Sequence, residues 1–185
     1  MFVQRISHQY CYCFPPLSGT RYGISTRYWS HVTKAYYLRK IPMRYKQIAE
    51  QPQTFALIMD TGDEILETLQ NFSKLQKLAG SSFEAVGALS CVKLGWFNWE
   101  TKKYEISVEL NEQVELLSLI GDIALKDSEP QVHAHLIVGR RDGTAHGGHL
   151  LNARVRPTCE LILTESPEHL HKQIDPESGI PLIQI

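Results

Sequence analysis

VHAHLIVGRRDGTAHGGHLL, residues 132–151, decides how this chain folds. Successive side chains of a strand point to opposite faces, so His133 and His135 share one face while Val132, Ala134, Leu136 and Val138 take the other. Asp142-Gly143 is a reversal signal, and a chain that doubles back there brings His149 alongside the first histidine pair. Gly147 and Gly148 leave room for close backbone approach at that point. The stretch holds four of the eight histidines of a 185-residue chain, where an even spread would leave fewer than one.

Neutral imidazole is a favoured ligand for zinc and related divalent ions, and three histidines with an open fourth position are the pattern of a catalytic zinc site. His133, His135 and His149 are therefore the candidate metal ligands. The competing reading is that alternating histidines merely decorate a solvated strand face. His146 is an alternative third ligand, ranked below His149 because no glycine pair precedes it. A second HxH, His169 and His171, stands beside Pro167 and Glu168 and reads as surface.

Working outward, TFALIM (54–59) is a short apolar strand. Thr61 and Glu64 form a capping box, after which Ile65, Leu66, Leu69, Phe72, Leu75 and Leu78 recur at helical steps along one face. Gly80 is the expected left-handed stop. Strands are expected at 83–94, 104–110, 114–120, 132–138 and 159–164. One strong helix among many strands predicts an α+β fold with a mainly antiparallel sheet.

The 43 % hydrophobic and 21 % charged composition suits a globular core. No apolar run approaches the roughly 20 residues of a bilayer-spanning helix. Cys11, Cys13, Cys91 and Cys159 contain no CxxC and fit a reducing, cytoplasmic setting. The CxC of Cys11 and Cys13 is a weak metal signal.

A net charge of −1 conceals a division. Residues 1–42 carry six Lys or Arg and no acid, leaving 13 basic and 20 acidic residues, a net −7, in 43–185. Three readings of this acid-free, basic segment compete. It is a transit-type peptide, a basic arm for nucleic-acid phosphate, or, the favoured reading, a translated extension ahead of a natural start at Met43. It is expected to be without regular structure, and 43–185 to be one domain.

Other candidates carry a bland reading beside the functional one. Glu165 closes the strand ELILTE and, if the fold brings it to the metal, is a candidate general acid/base or a carboxylate supporting the ligands from behind; such a residue is more often a solvated strand end. Arg140 and Arg141 are an anion contact or a solvated turn tip. Trp96, Phe97 and Trp99 are core or interface aromatics.

GALSCVKLGWFNWETKKYE (87–105), VELLSLIGDIA (114–124) and HAHLIVGRRDGTAHGGHLLNARVRPTCELILTE (133–165) together resemble the PPC domain, named for plants and prokaryotes. The resemblance runs from about Arg44 to Glu165 and leaves residues 1–42 unmatched. It implies an α+β fold that assembles as a homotrimer and a DNA-binding, transcription-associated regulatory role. In plant members a segment similar to Glu112, Gln113, Val114, Glu115, Leu116 and Leu117 contacts protein partners. In prokaryotic members residues matching His133, His135 and His149 hold a metal ion, zinc being expected. The chain lacks an Arg-Gly-Arg-Pro AT-hook and keeps the histidine triad, so it resembles the prokaryotic branch.

Three functions stand against one another. DNA affinity needs clustered Lys and Arg, and a domain at −7 lacks that balance, though a local patch is compatible with any net charge. The reading adopted is nevertheless the one the resemblance implies, a metal-binding trimer with DNA-linked regulation, which would place the protein in the cytoplasm and, if it binds DNA, at the nucleoid. The alternative is a zinc-dependent lyase or hydrolase acting on a small carbonyl-containing molecule, with Glu165 as proton carrier. The third is a scaffold in which the metal only stabilises the trimer.

Overall fold

The computed structural model describes residues 43–185. The expectations for residues 1–42, including the CxC, lie outside the described residues.

Strands β1 (Met43–Glu50) and β2 (Gln53–Asp60) form the first hairpin. In β2 the alternation of Phe55, Leu57 and Met59 inward is the period-2 pattern of a half-buried strand. Helix α1 (Ile65–Gln76) follows and buries Ile65, Leu69 and Phe72, the face anticipated from the three- and four-residue spacing. Tyr45 and Phe55 pack edge-on against Phe72 at ring separations of 5.0 and 5.3 Å, the geometry that the aromatic quadrupole favours.

Both helix ends differ from the sequence expectation. The N-cap is Glu64, not Thr61: its Oε2 accepts from the Glu67 amide at 2.7 Å, and Oε1 accepts from Ala153 at 3.1 Å. One carboxylate thus satisfies a free helix donor and ties the helix to the sheet, which a threonine at position 61 is too remote to do. The left-handed stop is Lys77, at φ 57° and ψ 43°. By Gly80 the chain is already in the next strand.

The remaining strands are β3 (Gly80–Asn98), β4 (Lys103–Leu110), β5 (Val114–Lys126), β6 (Glu129–Gly139), β7 (Ala145–Glu165), β8 (His171–Ile174) and β9 (Pro181–Gln184). The described residues therefore fold mostly as β-sheet with a single short helix, broadly the α+β class expected, with the helical share small. All nine strands belong to one sheet, and every pairing is antiparallel except that of β5 with β8.

Two long strands give this sheet its shape. The first half of β3 runs between β5 and the end of β7; its second half runs between β4 and the start of β7. Since β6 pairs with both β5 and β7, strands β3, β5, β6 and β7 close on one another. Register shifts between β3 and β7 at 87–91 and 93–94 supply the bending that such closure needs. Inside lies a core that includes Leu89, Leu94, Leu119, Ile123, Leu136, Val138, Leu150 and Leu163.

Candidate functional site

The β6–β7 hairpin forms as the sequence directs. Gly143 adopts φ +83°, and its amide donates to the Arg140 carbonyl at 2.9 Å. Asp142 Oδ1 accepts from the Thr144 amide at 3.0 Å. With the bend fixed there, His135 faces His149 directly and Val138 faces His146. Ala134, Leu136 and Val138 are buried, so the opposite face carries His133 and His135. A Cβ on Gly148 would lie 2.9 Å from the Gly95 carbonyl oxygen, which explains the need for glycine beside His149. His146 pairs opposite a core-facing valine and so falls on the wrong side to join the others.

His133, His135 and His149 come together with ligand nitrogens all within 4.8 Å of one another. The three ring centroids are mutually 5.2 Å apart, and His149 Nδ1 lies 3.4 Å from His135 Nε2. At zinc–nitrogen distances of about 2.0–2.1 Å, a tetrahedral ion separates neighbouring ligand nitrogens by about 3.3 Å. One edge of the triangle already has that length, and small ring rotations bring in the third nitrogen. The residues fit a divalent ion.

Three side chains that sequence reasoning missed support the trio. Asp122, on β5 opposite His133, approaches His133 Nδ1 at 3.1 Å through Oδ2. Its other oxygen lies 2.7 Å from Lys172 Nζ, whose side chain is only 3 % exposed. Burial alone would raise the Asp122 pKa, but hydrogen bonds from His133 and Lys172 outweigh it and hold the carboxyl below its ordinary value. A carboxylate only accepts, so the shared proton resides on Nδ1 and Nε2 of His133 is left for the metal, the usual arrangement behind a ligand histidine. Tyr104, on β4, stacks on His149 with centroids 4.1 Å apart and planes at 21°.

Burial also sets the charge of the trio. It is the main cause that depresses His149 to about 4, with repulsion from His133 and His135 adding to it. His135 is lowered for the same leading reason, with His133 next. Both imidazoles are held neutral at pH 7, the form that binds metal.

Glu165 is not brought to this site. It lies three strands from His133 along the sheet, and its carboxylate accepts from the Ala79 amide at 2.7 Å, the Gly80 amide at 3.2 Å and the Ser81 hydroxyl. It clamps the α1–β3 connection, and a side chain so engaged has no lone pair turned toward the histidines. Glu165→Ala is expected to lower stability by about 2–3 kcal/mol, because buried donors lose their acceptor, while metal content stays unchanged. Denaturant melts beside metal analysis check this.

The other candidates divide. His169 and His171 are exposed, as expected. Trp96 and Trp99 are 59 % and 52 % exposed, so they are not core residues; Lys102 Nζ lies 3.5 Å from the centre of the Trp99 ring. Arg140 Nε donates to Glu112 Oε1 at 2.7 Å, whereas Arg141 is exposed. Of the segment 112–117, Val114 and Leu116 are core residues, leaving Glu112, Gln113, Glu115 and Leu117 at the surface.

Among the described residues no helix is long and apolar enough to cross a membrane. A family profile, that of the Plants and Prokaryotes Conserved (PCC) domain, matches residues 46–167. The chain is 27 % identical to a Bacteroides thetaiotaomicron protein of provisional DNA-binding description, with a TM-score of 0.72, covering 77 % of this chain and 97 % of that one. A Pyrococcus horikoshii plant- and prokaryote-conserved protein is 30 % identical at TM-score 0.67, covering 77 % and 94 %. A metal-containing protein from Archaeoglobus fulgidus is 29 % identical at TM-score 0.66, covering 77 % and 98 %. Among curated proteins, the Bifunctional protein GlmU of Synechococcus sp. (strain JA-3-3Ab) is 32 % identical over 130 residues, which is 69 % of this chain and 20 % of that protein. The chain thus spans about a fifth of the curated relative it matches. With the closed sheet, the histidine hairpin and the profile in agreement, this chain belongs to the Plants and Prokaryotes Conserved (PCC) domain family.

Proposed function

We propose that the protein binds one divalent ion, zinc by preference, through His133, His135 and His149, and that the ion serves a small-molecule ligand in the cavity beside it. The observation that carries this is the meeting of three imidazoles on one face, two of them held neutral and the third backed by Asp122. The metal-containing relative from Archaeoglobus fulgidus lends support. When bound, such an ion polarises a carbonyl or activates a water, the chemistry of a lyase or hydrolase acting on a small carbonyl compound. The chain's own residues orient the site: Asp122 fixes the His133 tautomer, and Tyr104 fixes the His149 ring.

The test is metal analysis of purified protein. Wild type is expected to hold close to one equivalent of zinc per chain, and His133→Ala/His135→Ala less than a tenth of that. Equal content in the two would refute the site.

A second reading, DNA-linked regulation in the cytoplasm or at the nucleoid, draws on the provisional DNA-binding description of the Bacteroides relative. The −7 charge of residues 43–185 weighs against direct phosphate binding. Homotrimer assembly has support from the outer sheet face, where Val86, Ile120, Ile137 and Ile162 are exposed beside the trio. Apolar side chains in such a run are what a subunit interface covers. Light scattering on the full chain decides the stoichiometry, and the exposed residues of 112–117 remain the candidate surface for other proteins.

A further inference from the structure

A cavity of about 270 Å³ opens beside the histidines. Its floor is the trio; its walls are Tyr104, Gln131, Lys172, Ile180, Pro181 and Leu182. The last four residues come from β8, β9 and their connection, which lie beyond the segment the family profile matches. Parallel pairing of Leu125 with His171 and the antiparallel β8–β9 ladder hold this hairpin against the sheet.

The polar groups on the walls describe a ligand. Lys172 is buried, and Asp122 is its one ion-pair partner among the described residues. An ammonium carries three donors, so it has donors to spare for an acceptor in the cavity. Gln131 shares the strand face of His133 and His135, and its Oε1 is buried with no hydrogen-bond partner among the described residues. A buried acceptor without a donor is destabilising, a cost that a ligand donor would remove. Ile180, Pro181 and Leu182 add an apolar side.

We propose that this cavity is the specificity pocket of the site and takes a small hydroxycarboxylate. Its carboxylate lies at the Lys172 end, its hydroxyl donates to Gln131 Oε1, and its short carbon chain rests on Ile180, Pro181 and Leu182. An ammonium in place of the hydroxyl is disfavoured, because the Lys172 cation and a divalent ion held by the histidines would both repel it. The volume corresponds to about nine water-sized groups at about 30 Å³ each, which limits the ligand to a few carbons. The assignment rests on the metal-site reading for its floor, but the wall groups stand independently of it.

The probes are lactate, propionate and alanine, titrated calorimetrically into full-length protein incubated with zinc and freed of excess. Lactate is expected to bind saturably and at least tenfold more tightly than propionate, which lacks the hydroxyl, with alanine weakest. Gln131→Leu, close in volume and leaving both the Lys172 ammonium and the Asp122 carboxylate in place, is expected to bring lactate down to the affinity of propionate while leaving propionate unchanged. Lys172→Met weakens both acids. Equal binding of lactate and propionate, absence of binding, or a lactate preference that survives Gln131→Leu would overturn the pocket. Zinc content of the same samples separates the two readings. Zinc present without discrimination sinks the pocket alone; discrimination without zinc sinks the metal reading alone; neither one present sinks both.

Discussion

Asp122→Ala is expected to cost about 3 kcal/mol or more of folding stability and to weaken zinc binding by about 10–100-fold. The stability loss comes from Lys172. Its ammonium is 2.7 Å from Asp122 Oδ1 and almost wholly shielded from water, so deleting the carboxylate strands a charge where solvent cannot reach it. The affinity loss comes from the other oxygen, whose contact with His133 Nδ1 at 3.1 Å sets the tautomer and ring orientation. A double variant separates the effects. Asp122→Ala/Lys172→Met removes both charges, so most of the stability returns, whereas zinc affinity stays low because His133 still lacks its partner. Neighbours in one network depart from additivity by about 0.5–3 kcal/mol, and here the expected departure lies at the upper end. Urea unfolding and competition with a chelating dye give the two numbers. If single and double variants are equally unstable, the pair is not what holds β8 to the sheet.

What the sequence shows of this molecule follows from how far each signal reaches along the chain. The histidine hairpin was legible because its turn, its alternation and its glycines are local. The helix face was legible for the same reason, but its caps were displaced: Glu64 acts as N-cap partly because it also reaches Ala153, a partner 89 residues away. Only 159–164, the stretch after Pro157, was expected as a strand here, yet β7 is one strand of 21 residues. Proline is tolerated at irregular points of a ladder, and the β3–β7 register shifts near that position. β1 escaped notice because it is an edge strand with most side chains exposed, held by backbone pairing that leaves no apolar period.

The same logic governs the site. Asp122 carried a visible clue, an acid in the middle of the apolar run VELLSLIGDIA, since burial of a carboxylate calls for partners. Lys172 and Gln131 carried none, because each looks like a surface residue until β5 brings β8 and β6 to the same cavity. Glu165 failed in the opposite way: strand-end position suggested availability, but three donors, from Ala79 and the first two residues of β3, already occupy it.

The metal-free protein is expected to lose stability as pH falls from about 6.5 to about 4, and His149→Phe to lack much of that slope. His149 is the cause. Its folded pKa is pushed down to about 4 from 6.5, chiefly by burial and then by the charges of His133 and His135. Below 6.5 the unfolded chain takes up a proton that the folded chain refuses until about 4. The unfolded state therefore binds more protons throughout this window, and stability declines with acid; above 6.5 the contribution is fully present. At about 1.36 kcal/mol per pH unit, the whole shift would be about 3 kcal/mol. The ring is only half-buried and solvent screens it, so about 1–2 kcal/mol is the expected loss. His135, lowered in the same direction, adds to it. Phenylalanine preserves the stack on Tyr104 but cannot titrate, so the difference between wild type and variant, measured by urea unfolding at pH 7 and pH 4, isolates the imidazole. A difference that does not change between these two pH values would mean that His149 is not desolvated by its neighbours. Zinc steepens the wild-type slope, because an ion that binds only the folded state adds stability and proton competition removes it in acid. The variant, short of one ligand, should show little of that increment at either pH.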